Sequence, residues 1–531
     1  MIQKKRLLLS VTSGLLLSLP WISISFPWAL FFAFIPLLIV EDQILRQKQS
    51  QPGIVLFFYA LVTFLVWNVL STWWIAYVSL GGMILIACIN AFLMACVWWL
   101  MHFVRQRFTV QTGYFSLIVF WLTFEYLHFH WAIQWPWLTL GNGFSNAVPL
   151  IQWYEYTGVL GGSLWVLLIN IFFFSVYKRF SERRFYKSLQ LSGSILLLIV
   201  LPVSWSLVRY YTYTENGKTI EVAILQPNSD PFSEKFSGIN ADEQTRRLIS
   251  LAETVVNDST QYVLAPETSL APLWEEDSLK QNGALEGIDS LISRYPRIRF
   301  VAGAITQRKL GIDEPISYTA RQSIGGSYYD VFNSALLIDH SPIVQIGHKS
   351  ILVSGVEKMP FQKYFSFLGK YAVQIGGISG SLTASSQPSV FEGADGVKIG
   401  SVICFESIFG EYVGSVVKKG ANVLFVMTND GWWKTSPGKS QHFAFSRLRA
   451  IETRRSIVRS ANTGVSGFIN ERGDVIEKTK ENSWFAVSSF IHLNDSITFY
   501  VTYGDYLGWI SLLLSGLTLI YCLVSFMRSR E

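Results

Sequence analysis

Eight apolar runs punctuate the chain, near residues 7–25, 27–40, 54–70, 83–104, 114–128, 159–177, 190–209 and 505–527. Each approaches the roughly 20 residues that a membrane-spanning helix needs, although the second and fifth are short. The first run follows Lys4, Lys5 and Arg6 as a signal peptide would, but no small-residue cleavage site follows and another apolar run begins at once. An uncleaved first span is expected. From residue 218 the period changes. The stretches 219–226, 261–265, 300–304, 331–339, 343–347, 398–404 and 422–427 are β-branched and bounded by Gly, Pro, Asn or Asp, as strands are. Several are apolar on both faces, and helical patterns lie between them at 240–257, 283–294 and 439–455. The expectation is an α/β domain with a largely buried sheet. The chain thus divides into a transmembrane bundle at 1–209, a mixed domain at 210–504, and a last span with a short tail at 505–531.

Charge orients this arrangement. Lys and Arg cluster in alternate connections, at 4–6, 46–48, 105–107, 178–187 and 528–530, while the connections 71–82 and 129–158 contain neither. The positive-inside rule then puts both termini in the cytoplasm and the mixed domain outside it. Half of the residues are hydrophobic, and the net charge of +6 comes from these short clusters, so nucleic-acid binding is set aside. The connection 129–158 is aromatic, with Trp131, Trp135, Trp137, Trp153 and Tyr154, and reads mainly as an interfacial belt. Its functional alternative is a platform where a lipid headgroup leaves the bilayer. His128 and His130 lack a third ligand and read as interfacial.

Of the four cysteines, Cys88, Cys96 and Cys522 fall in apolar runs, and Cys404 alone falls in the mixed domain. Their spacing supports neither a disulfide framework nor a metal site, and no cofactor is expected. Three expected strand ends carry reactive groups: Glu267, Lys349 and Cys404. A free thiol has a pKa near 8.5, so only a few per cent is thiolate at neutral pH and a nearby base is needed. Glu267 is the candidate base. Lys349 would stabilise the thiolate and the oxyanion of a tetrahedral intermediate. Each residue alone has a bland reading, as a buried small side chain, a helix cap or a solvated charge.

The order Pro266-Glu267-Thr268, His348-Lys349, Ile403-Cys404-Phe405-Glu406-Ser407, Thr428-Asn429-Asp430-Gly431-Trp432-Trp433 and Gln441-His442 resembles the nitrilase superfamily with its Glu-Lys-Cys triad. Inside this topology, and with Trp135-Pro136-Trp137-Leu138 and Arg459-Ser460-Ala461-Asn462, nearly the whole chain resembles the apolipoprotein N-acyltransferase family. The resemblance implies a bundle of about eight spans plus a nitrilase-like α-β-β-α sandwich in the periplasm, anchored in the bacterial inner membrane. It implies Glu267 as base, Lys349 as stabiliser and Cys404 as nucleophile, with Glu357 and Glu406 in support. It also implies a membrane phospholipid as acyl donor and a diacylglyceryl-modified apolipoprotein as acceptor. Phe405, Trp432, Phe361, Tyr364 and Phe236 are the candidate substrate-contacting residues, and a monomer is expected. Departures stand at Ser354-Gly355-Val356, where the family often reads Pro-Phe-Gly, at Phe405 for a common tyrosine, and at Phe236 for a tryptophan.

The loop 355–377 carries Met359, Phe361, Tyr364, Phe365, Phe367 and Tyr371 among three lysines; it reads either as ordinary packing or as a membrane-dipping lid. Two rival functions stay open. A membrane-tethered amidase would keep the triad but has little use for so many spans. A transporter or receptor would carry charges along a path through its spans, and beyond Glu125 few are seen.

Overall fold

The computed structural model describes residues 2–22, 26–47, 51–183, 185–230, 241–275, 279, 285–359, 381–394 and 396–528. It divides into two compact units, one comprising Met1–Trp131, Trp135–Tyr213 and Tyr503–Glu531, the other Ala132–Gln134 and Thr214–Thr502.

The first unit is helical: α1 (Ile2–Ile22), α2 (Ile35–Arg46), α3 (Pro52–Thr72), α4 (Leu80–Arg107), α5 (Val110–His130), α6 (Tyr154–Ser181), α7 (Phe185–Thr212) and a C-terminal helix at Tyr506–Arg528. Among the described residues six segments are long and apolar enough to cross a membrane: Pro27–Arg46, Pro52–Tyr77, Leu80–Arg107, Tyr154–Ser181, Leu189–Thr212 and Tyr506–Arg528. The expected count of eight falls short at α1 and α5, which are helices of 21 residues but not among the six. Polar side chains interrupt both, Ser10, Thr12, Ser13 and Ser18 in one and Glu125, His128 and His130 in the other.

The short second run is a 3-10 turn at Pro27–Phe31 followed by α2, and its freed backbone groups need partners in an apolar setting. Asn170 of α6 supplies them, accepting from Phe34 N at 2.8 Å and donating to Leu30 O at 2.7 Å. Because α2 runs on to Arg46, it carries Glu41 and Asp42 into the unit, so buried charge is not confined to Glu125. Glu41 meets His102 Nδ1 at 2.8 Å and the Arg105 guanidinium, while Asp42 takes Arg105 at 2.9 Å and Lys178 at 2.7 Å. These ions pair with one another, which is how buried charge survives. Glu125 Oε1 accepts from Trp121 Nε1 at 3.0 Å and Leu140 N at 2.8 Å, tying α5 to the connection that follows. In that connection Trp137 and Tyr154 are buried, Trp135 stacks on Trp137 with centroids 5.5 Å apart, and Trp131, Trp135 and Trp153 are half-buried. His130 is exposed as an interfacial residue would be, whereas His128 is buried against Phe124 and Trp131.

The second unit has two mixed sheets. The strands are β1 (Thr219–Gln226), β2 (Tyr262–Leu264), β3 (Leu273–Trp274), β4 (Arg299–Lys309), β5 (Arg321–Gln322), β6 (Tyr328–Ile338), β7 (Gln345–His348), β8 (Val390–Glu392), β9 (Lys398–Ile403), β10 (Val423–Thr428), β11 (Ile457–Ala461), β12 (Gly467–Ile469), β13 (Val475–Lys478) and β14 (Phe485–His492). One sheet runs β14-β1-β2-β4-β6-β5, with β3 beside β4 and β7 beside β6; the other runs β13-β12-β11-β10-β9-β8. Strand alternation explains the layers. Ile220, Val222 and Ile224 of β1 join Ile399, Ile403, Phe425, Met427 and Val458 in the core between the sheets. Their neighbours Ala223 and Leu225 turn the other way. They pack with Leu248 and Leu251 of α8 (Ala241–Glu253) and with Ile288 and Leu291 of α9 (Glu286–Arg294). On the far side, Val402, Leu424 and Val426 pack with Val413 and Val416 of α10 (Gly410–Lys418) and with Phe443 and Ala450 of α11 (Pro437–Thr453). Both faces of the central strands are covered, which is why they read as continuous apolar runs.

Candidate active site

Three central strands, β2, β9 and β10, end at one place. β1, β2 and β4 are parallel neighbours, as are β9, β10 and β11, so residues just beyond the ends of β2 and β9 emerge on one side of the two-sheet core. Glu267 follows β2, Lys349 follows β7, and Cys404 follows β9. Gly303 on β4 permits the approach of Glu267: a Cβ there would lie 2.7 Å from Glu267 Cα and 2.6 Å from Thr268 N. Cys404 adopts φ 52°, a left-handed conformation that non-glycine residues rarely hold, and it opens the 3-10 turn Cys404–Ile408. Such strain, of order 1–3 kcal/mol, persists where the surroundings impose it.

Lys349 is 1% exposed, and its ammonium lies 3.1 Å from Glu267 Oε1 and 2.9 Å from Glu357 Oε1. Two of its three N–H bonds are thereby engaged, which leaves one for a substrate oxygen. Burial works against its charge, but Glu267, Glu357 and Cys404 outweigh this and hold it well above the usual lysine range. Asn333 on β6 joins the two carboxylates, donating from Nδ2 to Glu267 Oε1 at 2.8 Å and to Glu357 Oε1 at 2.9 Å. The other oxygens are held by backbone: Asn429 N donates to Glu267 Oε2 at 2.9 Å, and Val353 N to Glu357 Oε2 at 2.8 Å. The turn Ser354-Gly355-Val356, which departs from the family pattern, still aims Glu357 at Lys349, because Glu357 N closes it onto Val353 O at 2.9 Å and Gly355 takes φ 83°.

Glu406 acts as a clamp. It accepts from Ile403 N at 2.7 Å at the end of β9, beside Cys404, and from Ser350 N at 2.6 Å and Ile351 N at 3.2 Å just after Lys349. Burial pushes its carboxyl up to about 7. Cys404 is half-buried, and desolvation first and Glu267 second raise its thiol well above the ordinary range, with Lys349 pulling the other way. The resting thiol is therefore neutral, and the adjacent carboxylate has a proton to take.

Behind Cys404 lies a second polar cluster that the sequence reading named only as a motif. Thr428 Oγ1 donates to Asp430 Oδ1 at 2.8 Å, Arg459 pairs with Asp430 Oδ2 at 2.9 Å, and His442 Nδ1 lies 2.9 Å from Asp430 Oδ1. His442 Nε2 faces the Cys404 carbonyl at 3.2 Å. Asn333 was missed altogether, since an asparagine inside a strand carries no signal until the pairing of β6 with β7 sets it beside Lys349.

Of the candidate substrate-contacting residues, Phe405 and Trp432 fall within the described residues. Phe405 is buried edge-on against Phe409 at 5.2 Å, and Trp432 is half-buried. Phe236, Phe361 and Tyr364 lie outside the described residues, with most of the expected lid loop. Among the described residues no group of three or more His, Cys, Asp or Glu could hold a metal ion.

Residues 13–172 match the apolipoprotein N-acyltransferase N-terminal domain, and residues 221–495 match the carbon-nitrogen hydrolase family. The chain is 27% identical over 548 residues to an apolipoprotein N-acyltransferase of Chlorobaculum tepidum, covering 99% of this chain and 97% of that one. It is 27% identical over 519 residues to that of Geobacter metallireducens, covering 96% and 93%. Among solved structures, a mutant amidase of the nitrilase superfamily from Nesterenkonia is similar at 15% identity and TM-score 0.35, over 55% of this chain and 94% of that chain. The hydrolase match spans most of the second unit and the relatives are matched end to end, so the chain belongs to the carbon-nitrogen hydrolase family and, within it, to the apolipoprotein N-acyltransferases, multi-pass membrane acyltransferases.

Proposed function

We propose that the chain transfers an acyl group from a membrane phospholipid to the α-amine of a lipid-modified N-terminal cysteine on an apolipoprotein, in two half-reactions through a Cys404 thioester. The single observation that supports this most is Lys349 held between Glu267 and Glu357, with Cys404 near enough to act on its charge. In the first half-reaction Glu267 takes the Cys404 proton, and the sulfur attacks the ester carbonyl. The Lys349 N–H stabilises the oxyanion, a contribution of about 3 kcal/mol for one well-placed donor. The lysophospholipid alkoxide leaves with the proton that Glu267 returns. In the second half-reaction the amine attacks the thioester, Glu267 accepts an amine proton, and that proton returns to the departing thiolate. A thioester reacts readily with amines, and excluding water limits its loss to hydrolysis.

The same reading gives the chain about eight spans, α1 and α5 included, and an extracytoplasmic catalytic domain at 210–504, with both termini in the cytoplasm of a bacterial inner membrane and the protein a monomer. The alternate clustering of Lys and Arg supports that sidedness. Intact-protein mass spectrometry after mixing with phospholipid tests the chemistry. The expected result is one acyl mass on the wild type, labile to hydroxylamine and absent from Cys404→Ala. An adduct that persists in Cys404→Ala overturns the nucleophile assignment, and no lysophospholipid from the wild type overturns the donor.

A further inference from the structure

Cys404 is held in its left-handed conformation by groups on both sides of it. Before it, Ile403 N donates to Glu406 Oε2 at 2.7 Å. After it, two side chains converge on the Cys404 carbonyl, Ser407 Oγ at 2.7 Å and His442 Nε2 at 3.2 Å. Both are fully buried, and their polar atoms lie 3.0 Å apart. Ser407 belongs to the same 3-10 turn as Cys404, so its contact is local. His442 comes from α11, 38 residues further on, and ties the turn to a separate element.

The proton positions follow from what each partner can do. A carbonyl can only accept, and a guanidinium can only donate. The Ser407 hydroxyl has one proton, and its shorter contact is with the Cys404 carbonyl. With that proton on the carbonyl, His442 Nε2 would meet only lone pairs at 3.0 and 3.2 Å unless it carries a hydrogen itself. The far side of the ring agrees, since Arg459 Nη2 lies 3.0 Å from Nδ1 and donates to it. A second hydrogen on Nδ1, towards Asp430 Oδ1 at 2.9 Å, leaves the one on Nε2 in place. His442 therefore donates from Nε2 in either charge state. Its ring is set by Asp430 and Arg459, which pair at 2.9 Å, and by Trp433, edge-on with centroids 5.5 Å apart.

We propose that His442 is a positioning residue for the nucleophile: its Nε2–H, together with the Ser407 hydroxyl, holds the Cys404 carbonyl and so fixes the turn from which the thiol attacks. At φ 52° the cysteine Cβ crowds its own backbone, and an unrestrained cysteine leaves that region. Two donors on its carbonyl and the Glu406 clamp on the preceding amide keep it there, so the sulfur presents one direction to an ester carbonyl. His442 acts through the backbone of Cys404 and makes or breaks no covalent bond.

This rests on Cys404 being the nucleophile, and the test separates the two. Acyl-enzyme formation by the full-length protein in detergent is followed by intact-protein mass spectrometry over a series of phospholipid concentrations, with the acylated peptide located. His442→Asn keeps an amide near the place of Nδ1, beside Asp430 and Arg459, but does not reach the Cys404 carbonyl. His442→Gln reaches as far as Nε2 and restores an N–H there. His442→Asn should lower the rate at saturating phospholipid at least about tenfold with the half-saturating concentration unchanged, since small misplacements of reacting groups carry such losses. His442→Gln should recover to within about threefold of wild type. Iodoacetamide alkylation of Cys404 follows the thiolate fraction rather than the direction of attack, so it should stay within about threefold of wild type in both variants. A cluster that only stabilised the fold would shift the melting temperature without separating Asn from Gln in rate. A His442→Asn rate within about threefold of wild type overturns the inference, as does a His442→Gln rate no better than that of His442→Asn. If His442→Asn does not fold, Ser407→Ala, which removes the other donor to the same carbonyl, is read by the same rate and half-saturation criteria. An acyl group found on another residue of the wild type overturns the nucleophile assignment and this inference with it, whereas acylation of Cys404 that His442→Asn leaves unchanged overturns the inference alone.

Discussion

Asn333 offers the most direct test of how the charged centre is held. Its amide donates to Glu267 and to Glu357 on the two oxygens that also receive Lys349, while among the described residues no partner meets its own Oδ1. Truncation in Asn333→Ala therefore removes two donors to carboxylates and gives up no acceptor contact. A hydrogen bond to a charged group contributes about 1.5–3 kcal/mol. Both carboxylates retain Lys349 and a backbone amide, so the lower end applies to each, and the sum is about 3 kcal/mol. At about 1.4 kcal/mol per decade this is roughly a hundredfold in rate if the loss falls on the transition state. The assay is single-turnover release of lysophospholipid, which isolates acyl-enzyme formation, together with a thermal melt in detergent. The first half-reaction should slow about a hundredfold with KM nearly unchanged, because Asn333 touches the base and the lysine rather than the substrate. A rate within threefold of wild type in a folded protein would refute the reasoning, and so would a loss confined to KM.

Cys404→Ser should stay folded, since the exchange is nearly isosteric, yet lose acyl-enzyme formation by at least about a thousandfold, because an alkoxide is far harder to form than a thiolate; intact-mass analysis reads this directly. Gly303→Ala forces a methyl against Glu267 Cα and Thr268 N, so activity should fall at least about tenfold at modest cost in stability, with the melt and the turnover rate measured together. Glu406 sets a pH dependence of stability. Burial raises its carboxyl to about 7, above the unfolded value near 4.3, so its contribution is fully present below about pH 4, declines as the pH rises and is lost above about 7. The shift amounts to roughly 4 kcal/mol, and the difference in melting temperature between wild type and Glu406→Gln across that window should follow the same slope; a constant difference would refute it.

Much of the candidate site was legible before folding. Glu267, Lys349 and Cys404 each follow a β-branched run, and a reactive group at the end of a buried strand stands out locally. Strand β1 and the central parts of β4, β6, β9 and β10 follow from the same alternation. Strands β12 to β14 did not declare themselves. β12 and β13 are short, and β14 (Phe485–His492) mixes serine with exposed phenylalanine, so its strand character comes from antiparallel pairing with β1 rather than from its own pattern. The end of α2 was lost for a related reason. Glu41 and Asp42 look like a loop until His102, Arg105 and Lys178 are brought to them.

Local periodicity therefore marked the central strands and the apolar helices, and chemical type singled out the candidates for base, cation and nucleophile. These depend on near neighbours alone, so one chain suffices to read them. What required the folded molecule is the joining of distant positions. Asn429 N reaches Glu267 across 162 residues and Asn333 reaches it across 66, through the order of strands in two sheets. Asn333 carries no local mark of its place, and the motifs that hold Thr428, Asp430, His442 and Arg459 do not show that these four meet in one cluster. Their roles arise because parallel strands end together and a buried carboxylate, ammonium or thiol must be surrounded by partners to exist there at all.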